Sequence, residues 1–347
     1  MEKYSKWRDA GTGIQPFLQP VPARAEQEGL SGLLNRAKSY IVGPIVATVR
    51  LAVLGVAAAL DAAFSAVTPL LIVPSVRRAY QRCTRSLLAR LALLAMGFYT
   101  LDTKTTSLQK GRRAAAGSQA SRARGVRSGD LIIANHVSYV DVLYLVATYN
   151  PVFVEIDNAT MHVRRLSLWS ALRAPSQPTP ALLPASEARP LKSITQEARL
   201  KGLGPVVVFP ENATSNGRAL LQLLPVFEEV ENQDDKSEMH LVAFRYPFRF
   251  FSPAYSVGSQ MGHLFGLCCQ VYNSAVVKVL EPAEAPRVAS SAMFCEAGEE
   301  PVDLDEAVKD KLVQLSRLRQ TKLSAMDKRD FLAFYYKRTR GGYRDQI

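Results

Sequence analysis

The chain has 347 residues, 48% of them hydrophobic and 21% charged, so it can bury a substantial core and is too apolar for a disordered polymer. Its formal net charge of +12 and its pI of about 9.6 predict an anionic partner: a nucleic acid, an acidic membrane surface or a phosphorylated substrate. Four cysteines without CxxC spacing or a neighbouring histidine argue against a disulfide scaffold and against a structural zinc site.

The N-terminal third of the chain predicts a tail followed by a membrane anchor. Residues 1–39 contain several prolines and glycines with little helical periodicity, which indicates a tail. Residues 40–105 are predicted to form a hydrophobic anchor, because the stretch 40–73 is almost wholly apolar and carries only Arg50 and Asp61 as charges. Its length fits one tilted bilayer span or two shorter helices bent into a hairpin. A hairpin buried in a soluble core is the alternative, which the lack of a polar face disfavours.

Basic residues accompany a second, shorter apolar run at 87–98. The arginines that precede it are Arg77, Arg78, Arg82 and Arg85. Arginines beside an apolar helix reach toward the phosphates of lipid headgroups. The basic stretch 102–130 is predicted to be a solvated connector that could also attract anionic lipid. Because no aromatic residues interleave with these basic runs, and no zinc-finger, RRM or KH pattern occurs, nucleic acid is not expected as a partner.

Residues 106–347 show strand-like and helix-like segments in alternation, which predicts an α/β domain. The predicted strands lie at 130–134, 205–210, 240–246 and 275–280, and the predicted helices at 137–148, 193–201 and 303–319. The last helix is amphipathic, with acidic residues in its first turn.

The first candidate site begins where an apolar strand runs into Asn135-His136, with Asp141 five residues after the histidine. A histidine at the carboxyl end of a strand lies where α/β sheets bind ligands. Asp141 could fix the tautomer of the imidazole, and His136 could then deprotonate a hydroxyl without a serine intermediary. A purely structural histidine is the alternative, because this spacing also arises by chance.

The second candidate site is a polar turn after the buried strand that ends in Phe209-Pro210. Its polar residues and glycine are Glu211, Asn212, Thr214, Ser215, Asn216, Gly217 and Arg218. Arg218 could pair with a phosphate, and backbone N–H groups around Gly217 could form an anion nest. The alternative is an Asn-Gly surface turn. Asn158 and Asn212 also fit the N-glycosylation pattern, which a cytosolic domain would leave unused.

Together the two sites resemble the glycerolipid acyltransferases, a family that includes the lysophosphatidic acid acyltransferases. The resemblance rests on the HxxxxD box from His136 to Asp141, on Phe209-Pro210-Glu211 and on the apolar hairpin before them. The N-terminal tail and the run TSNGRALL are most similar to the fungal lysophosphatidic acid:oleoyl-CoA acyltransferases. The resemblance implies an α/β fold with a central, mainly parallel or mixed sheet flanked by helices, behind an N-terminal helical membrane anchor.

By this resemblance His136 is the general base, and Asp141 orients it. Glu211 with the residues of the turn (Thr214, Ser215, Asn216, Gly217 and Arg218) binds the glycerol phosphate of the acceptor. The resemblance implies acyl-CoA as co-substrate, a lysophospholipid as acceptor, membrane lipids as partners, and no metal or cofactor. It implies an endoplasmic reticulum or lipid-droplet membrane, with the catalytic domain facing the cytosol.

The alternative is a non-catalytic adaptor that keeps the acyltransferase fold. Asn212-Ala213 stand where the family usually has Gly-Thr, which motivates this alternative. Asparagine tolerates left-handed backbone better than other non-glycine residues, so the turn itself is expected to form. The sequence leaves the oligomeric state open.

Overall fold

A seven-stranded mixed sheet forms the centre of the protein in the computed structural model, which describes residues 4–22, 30–108, 125–180, 182–184, 186–227, 237–286 and 303–341. The strands are β1 (Leu101–Thr106), β2 (Leu131–Ala134), β3 (Val152–Ile156), β4 (Val163–Leu166), β5 (Val206–Val208), β6 (Met239–Arg245) and β7 (Ala275–Leu280). Their order in the sheet is β1-β7-β6-β2-β5-β3-β4. The predicted α/β fold with a mixed sheet is confirmed.

The four central strands β6, β2, β5 and β3 run parallel, while β7 and β4 pair antiparallel with β6 and β3. In the register, Ile132 of β2 lies opposite Val207 on one side and His240 on the other. The carboxyl ends of β2, β5 and β6 therefore meet at one edge of the sheet. Both predicted sites follow these ends, because residues 135–141 come after β2 and residues 209–218 come after β5.

Helices cover both faces of the sheet. They are α1 (Leu30–Val67), α2 (Pro74–Ala95), α3 (Tyr139–Tyr149), α4 (Leu168–Arg173), α5 (Leu191–Lys201), α6 (Gln260–Cys269), α7 (Leu304–Ser316) and α8 (Ala325–Gly341). Alternate side chains of β2 enter the two cores: Ile132 packs on the α2, α3 and α6 side, and Leu131 on the α5 and α7 side. Because both faces are buried, β2 has a continuous apolar sequence, Leu-Ile-Ile-Ala.

The N-terminal apolar region forms a helical hairpin of α1 and α2, which pack against each other. A single helix, α1, continues through Pro44 as far as Val67, so residues 40–73 do not bend into two short helices. The segment Ile41–Leu70 is long and apolar enough to cross a membrane, and only 17% of its most apolar window is buried within the protein. Among the described residues it is the one helix that meets this criterion of length and composition.

The predicted boundary between anchor and α/β domain at residue 106 falls on the last residue of β1, so the sheet begins earlier than predicted. Strand β1 lies parallel to β7 along its full length, from Leu101 to Thr106. Residues 30–39 of the predicted tail belong to α1, and residues 4–22 pack on the domain. Trp7 and Phe17 are buried against Phe331 of α8, with ring centroids 5.4 and 5.5 Å apart.

Arg50 fastens the hairpin to the domain. Its guanidinium donates hydrogen bonds to the backbone oxygens of Cys268, Gln270 and Val271 at the end of α6, and to the hydroxyl of Tyr99. The carbonyls at a helix C-terminus carry partial negative charge and lack partners within the helix, which makes them good acceptors for a cation. The positively charged guanidinium of Arg50, in the middle of α1, therefore has hydrogen-bond partners within the protein.

Replacing Arg50 by alanine should destabilise the packing of α1 on α6 by about 2 kcal/mol, because several charge-assisted hydrogen bonds are lost at once. Thermal unfolding and limited proteolysis of the full chain in detergent micelles would measure the change. Arg90 is an exposed arginine of α2, and Arg90→Ala should leave both readouts unchanged. Equal behaviour of the two variants would contradict the fastening role.

Candidate active site

The loop after β2 is held in place by Asn135. Its side-chain amide donates to the backbone oxygen of Phe244 at 3.1 Å, and its side-chain oxygen accepts from the backbone N–H of Phe244 at 2.7 Å. Asn135 thereby continues the pairing of β2 with β6 by one residue after β2 has ended. His136, the next residue, leaves the sheet at a fixed position.

His136 and Asp141 form a direct hydrogen bond, with 3.1 Å between the Nδ1 and Oδ2 atoms. Ser138 caps helix α3, and Asp141 is the third residue of that helix, which places its carboxylate back over the loop in a capping box. The spacing of five residues thus reflects the geometry of a helix N-terminus. Both side chains are buried, with 6% of His136 and none of Asp141 exposed.

Four donors surround the Asp141 carboxylate. Oδ2 accepts from the backbone N–H groups of Val137 and Ser138 at 2.7 and 2.8 Å, as well as from His136. Oδ1 accepts from the hydroxyl of Tyr246, the residue after β6. Because Oδ2 already accepts two N–H bonds, it faces Nδ1 as an acceptor. This arrangement favours the tautomer that keeps the proton on Nδ1 and leaves a lone pair on Nε2.

The imidazole opens into a cleft of about 460 Å³. It stacks on the ring of Phe209 with centroids 4.1 Å apart and an interplanar angle of 15°. Phe209 and Asn212, which follow β5, also line the cleft. Nε2 has no hydrogen-bond partner among the described residues, so it is the nitrogen available to a molecule in the cleft.

Charged residues of β3 and β4 form the far wall of the cleft. Arg164 pairs with Glu155 at 2.6 Å and with Glu187 at 3.1 Å, and all three line the cleft. These hydrogen bonds raise the pKa of Arg164, against the effect of its burial. Arg165 lines the cleft beside it and pairs with Glu197 at 3.2 Å.

Glu211 lies beneath the histidine instead of in the cleft. Its carboxylate accepts from the backbone N–H groups of His136 at 2.9 Å and Leu221 at 2.8 Å. The backbone oxygen of His136 accepts in turn from the N–H of Ser215 at 3.0 Å, so the turn holds the histidine backbone on both sides. Burial raises the pKa of Glu211 to about 8.

Thr214 and Asn216 of the turn are also buried. Lys328 of α8 donates to the backbone oxygen and hydroxyl of Thr214, and burial lowers the pKa of this lysine to about 7. The side-chain amide of Asn216 donates to the backbone oxygens of Gln15 and Leu18 at 2.9 and 3.0 Å. The turn therefore connects the N-terminal segment around residues 15–18 to helix α8.

Gly217 and Arg218 complete the turn without reaching the cleft. Gly217 has a φ of 71°, and a Cβ there would lie 3.0 Å from a methyl group of Val137, so a side chain at this position would be strained. The exposed Arg218 donates to the backbone oxygen of Val21 at 3.3 Å. The six residues predicted to bind the acceptor, Glu211, Thr214, Ser215, Asn216, Gly217 and Arg218, are thus absent from the cleft lining. Of the six, Glu211 and Ser215 hold the backbone of His136 directly.

Asn212 adopts the left-handed backbone expected for it, with a φ of 49°. Its side chain closes the turn onto β3, because the amide donates to the backbone oxygen of Ile156 at 2.7 Å and the side-chain oxygen accepts from the N–H of the same residue at 3.2 Å. This amide is therefore engaged in holding the site and is poorly placed for glycosylation.

Sequence reasoning missed Tyr246 as a partner of Asp141, and it missed Arg164 and Arg165 as cleft residues. Tyr246 is the last residue of the predicted strand 240–246, and the observed strand β6 lies parallel to β2, so the end of that strand is the signal that could have identified it. No comparable signal marks the arginines, because β3 and β4 were not predicted as strands. Among the described residues, no group of three or more His, Cys, Asp or Glu could hold a metal ion.

His263 of α6 is buried against the first residue of α3, and its burial predicts that folding stability is sensitive to acid. Its Nδ1 accepts from the hydroxyl of Tyr139, the first residue of α3, and its Nε2 donates to the backbone oxygen of Ser252, each at 3.0 Å. Burial lowers the pKa of His263 to about 4. In the unfolded chain a histidine titrates near about 6.5.

Between pH 4 and 6.5 the unfolded chain therefore binds a proton that the folded chain does not, so stability rises with pH in this range. The contribution of His263 is complete above about pH 6.5 and is lost as the pH falls toward 4, a change of about 3 kcal/mol. Chemical unfolding at pH 7 and pH 4.5 should show a larger loss for the wild type than for His263→Gln. Parallel losses in the two proteins would contradict the assignment.

The fold and the site are those expected of a glycerolipid acyltransferase. A mixed sheet flanked by helices brings a buried histidine and its carboxylate to the carboxyl ends of parallel strands, beside an open cleft and behind an apolar helical hairpin.

Over 338 residues, 96% of this chain and 97% of the relative, the sequence is 28% identical to a Schizosaccharomyces pombe protein provisionally named lysophosphatidic acid:oleoyl-CoA acyltransferase. It is 27% identical to a lysophospholipid acyltransferase of Arabidopsis thaliana over 217 residues, which are 54% of this chain and 48% of that protein. These similarities support the glycerolipid acyltransferase family for this chain, and an acyltransferase as its enzyme class.

Two other comparisons complete these findings. No protein-family model matches the sequence. The crystal structure of the 1-acyl-sn-glycerophosphate acyltransferase of Thermotoga maritima aligns with 80% of this chain and 97% of its own, at 12% identity and a TM-score of 0.40.

Proposed function

We propose that this protein transfers an acyl group from acyl-CoA to the free hydroxyl of lysophosphatidic acid or a closely related lysophospholipid. One observation carries the proposal: His136 presents Nε2 to a cleft while Asp141 holds Nδ1. An imidazole oriented in this way can take a proton from a hydroxyl and stabilise the resulting positive charge through the carboxylate. The names of the two sequence relatives support the choice of substrates.

In the proposed reaction the acceptor hydroxyl donates a hydrogen bond to Nε2 of His136. As the oxygen attacks the carbonyl carbon of the thioester, its proton moves to Nε2, and a tetrahedral intermediate forms. Collapse of this intermediate breaks the C–S bond, and the imidazolium returns the proton to the departing thiolate of CoA. Atoms and charges balance without an acyl-enzyme, and Asp141 keeps its charge throughout.

The cleft supplies apolar and charged surfaces suited to two such substrates. Phe153, Phe209 and Leu166 offer an apolar wall, and Arg164 and Arg165 lie beside it. We assign the family's acidic turn a different role from the predicted one. Glu211 fixes the backbone of His136, so its loss should displace the imidazole without removing a contact to the acceptor.

We further propose that the protein works at the membrane of the endoplasmic reticulum or of lipid droplets, with the cleft on the cytosolic side where acyl-CoA is available. The apolar, largely uncovered segment Ile41–Leu70 supports membrane attachment. The fungal relative named for oleoyl-CoA is consistent with a role in lipid synthesis.

The test is acyl transfer by the purified full chain in micelles, with labelled acyl-CoA and a panel of lysophospholipids that differ in headgroup. Product from lysophosphatidic acid or a close relative is expected, together with release of free CoA thiol in equal amount. No product from any acceptor under conditions in which the protein is folded would refute the proposal. That result would favour a non-catalytic adaptor, an alternative motivated by Asn212-Ala213 in the turn.

A further inference from the structure

A second and larger groove, of about 660 Å³, lies between helix α2 and the edge of the sheet formed by β3 and β4. Four arginines line it: Arg78, Arg82 and Arg85 from α2, and Arg165 from β4. No aspartate or glutamate is among its described lining residues. We call this feature the arginine groove. Four guanidinium groups around one groove without a carboxylate produce a strongly positive potential, which favours a multiply charged anion.

The charges of the arginine groove are largely uncompensated. No ion pair or hydrogen bond joins the side chain of Arg82 or Arg85 to another described residue. Arg78 donates to two neutral oxygens, the backbone oxygen of Lys201 and the hydroxyl of Ser75. Of the four, Arg165 alone pairs with a described acidic residue, Glu197. Guanidinium groups in this state bind phosphate oxygens well, because they offer several donors in one plane.

The arginine groove adjoins the His136 cleft. Phe153, Arg165 and Leu166 line both cavities. The ring of Phe153 stacks near that of Phe209 with centroids 6.4 Å apart, and Phe209 stacks on His136. A single long ligand can therefore have one end at the imidazole and the other among the arginines. His136 itself does not line the groove, so a charged group held there lies away from the reacting atoms.

We propose that the arginine groove binds the phosphate groups of the nucleotide end of acyl-CoA. This inference rests on the function proposed above and deepens it. Coenzyme A carries a diphosphate and a 3′-phosphate, separated from the thioester by the long, uncharged pantetheine arm. Its anionic end must therefore lie well away from the base that acts at the thioester, which is where the groove is.

The phosphate group of the acceptor does not fit the arginine groove. In lysophosphatidic acid the phosphate is only a few bonds from the hydroxyl that is acylated, so it must lie close to Nε2 of His136. It would then occupy the cleft itself, which Arg164 lines and the arginines of α2 do not. The donor and acceptor phosphates thus belong to different cavities.

Phosphates of membrane lipids are a second source of the same anion, and α2 provides a matched control for them. Arg77 and Arg90 are exposed on the same helix but do not line the arginine groove. Attraction to an anionic membrane surface depends on the total charge near that surface. It should therefore respond about equally to the loss of either pair. A built nucleotide site should respond only to Arg82 and Arg85.

The experiment compares the full-length wild type with the double variants Arg82→Ala/Arg85→Ala and Arg77→Ala/Arg90→Ala. Steady-state kinetics give KM for acyl-CoA and for lysophosphatidic acid, and calorimetry gives Kd for free CoA. Loss of two charge-assisted contacts should raise KM for acyl-CoA and Kd for CoA about 100-fold in the groove variant. The kcat value and KM for lysophosphatidic acid should stay within about twofold, and the control variant should match the wild type.

A measurement on the unmodified protein makes the test independent of how the variants fold. The wild type should bind 3′-dephospho-CoA about 10-fold more weakly than CoA, and both should bind more weakly as ionic strength rises. Equal affinity for the two nucleotides would overturn the proposal. So would an unchanged KM for acyl-CoA in the groove variant. Equal losses of vesicle binding in both double variants, with CoA affinity intact, would assign the arginines to the membrane.

Failure of the proposed function gives a different pattern from failure of this inference. If the wild type binds CoA in a manner that depends on Arg82 and Arg85 but transfers no acyl group, the function is wrong and the groove assignment stands. If the wild type is active and the groove variant keeps the wild-type KM for acyl-CoA, the function stands and the groove assignment is wrong.

Discussion

Replacing His136 by alanine should lower the rate of acyl transfer by about 10²- to 10⁴-fold, the usual contribution of a positioned general base. The residual rate would come from binding of the two substrates in the cleft, which the substitution leaves largely intact. The backbone of His136 keeps its hydrogen bonds to Glu211 and Ser215 whatever the side chain, so the loop should retain its shape. The measurement is product formation at saturating acyl-CoA and lysophosphatidic acid, with thermal unfolding as the check on folding.

His162 offers a matched control, because it is a partly buried histidine of the same domain that does not line the cleft. His162→Ala should keep the wild-type rate. Full activity of His136→Ala would exclude the general-base mechanism. A large loss of activity in both variants, accompanied by lower unfolding temperatures, would show that the effect of His136→Ala reports stability instead of chemistry.

The contact between His136 and Asp141 could be predicted from the sequence because it is local. Asn135, His136 and Asp141 lie within seven residues, and a strand followed by a capped helix fixes their relative positions. Strand order supplies the rest, since parallel neighbours end at the same edge of the sheet. Tyr246 was missed because its contact with Asp141 spans 105 positions of the sequence and becomes visible only once β6 is placed beside β2.

The hydrogen-bond partners of the turn after β5 could not be predicted, because its polar side chains have two chemically equivalent uses. A carboxylate, a hydroxyl and an amide can bind a ligand or can hold backbone, and composition does not distinguish them. The structure uses them for the second purpose: Glu211 holds the His136 loop, and Asn216 holds the N-terminal segment. The partners lie far away in sequence, at residues 15–18 and at Lys328.

Strand β1 was not predicted, because its sequence lacks the patterns that indicate a strand. Its sequence, Leu-Asp-Thr-Lys-Thr-Thr, is mostly exposed at the edge of the sheet, so it has neither an apolar run nor a clear alternation. Strands β2 and β5 are buried on both faces and show continuous apolar sequence, which makes them easy to recognise. The chain therefore enters the sheet through a polar edge strand, ahead of the α/β domain predicted to begin at residue 106.

Replacing Asp141 by asparagine should lower kcat by about 10³-fold or more while most of the fold remains. The amide oxygen can still accept from the N–H groups of Val137 and Ser138, so the cap of α3 survives at a cost of about 1–2 kcal/mol. The negative charge is lost, however, and with it the stabilisation of the imidazolium that forms when His136 takes the proton. An amide N–H directed at Nδ1 would also select the wrong tautomer.

Tyr246→Phe is a milder change than Asp141→Asn, because it removes one hydrogen-bond donor to Oδ1 of Asp141 and leaves the charge of Asp141 in place. Its kcat should fall only about 10-fold, with KM for both substrates near the wild-type values, because Tyr246 acts through Asp141 and does not touch the cleft lining. If Asp141 served only to cap α3, the asparagine variant would lose stability but keep its kcat. A kcat for Asp141→Asn within a few-fold of the wild type would therefore refute the proposed part of the carboxylate in proton transfer.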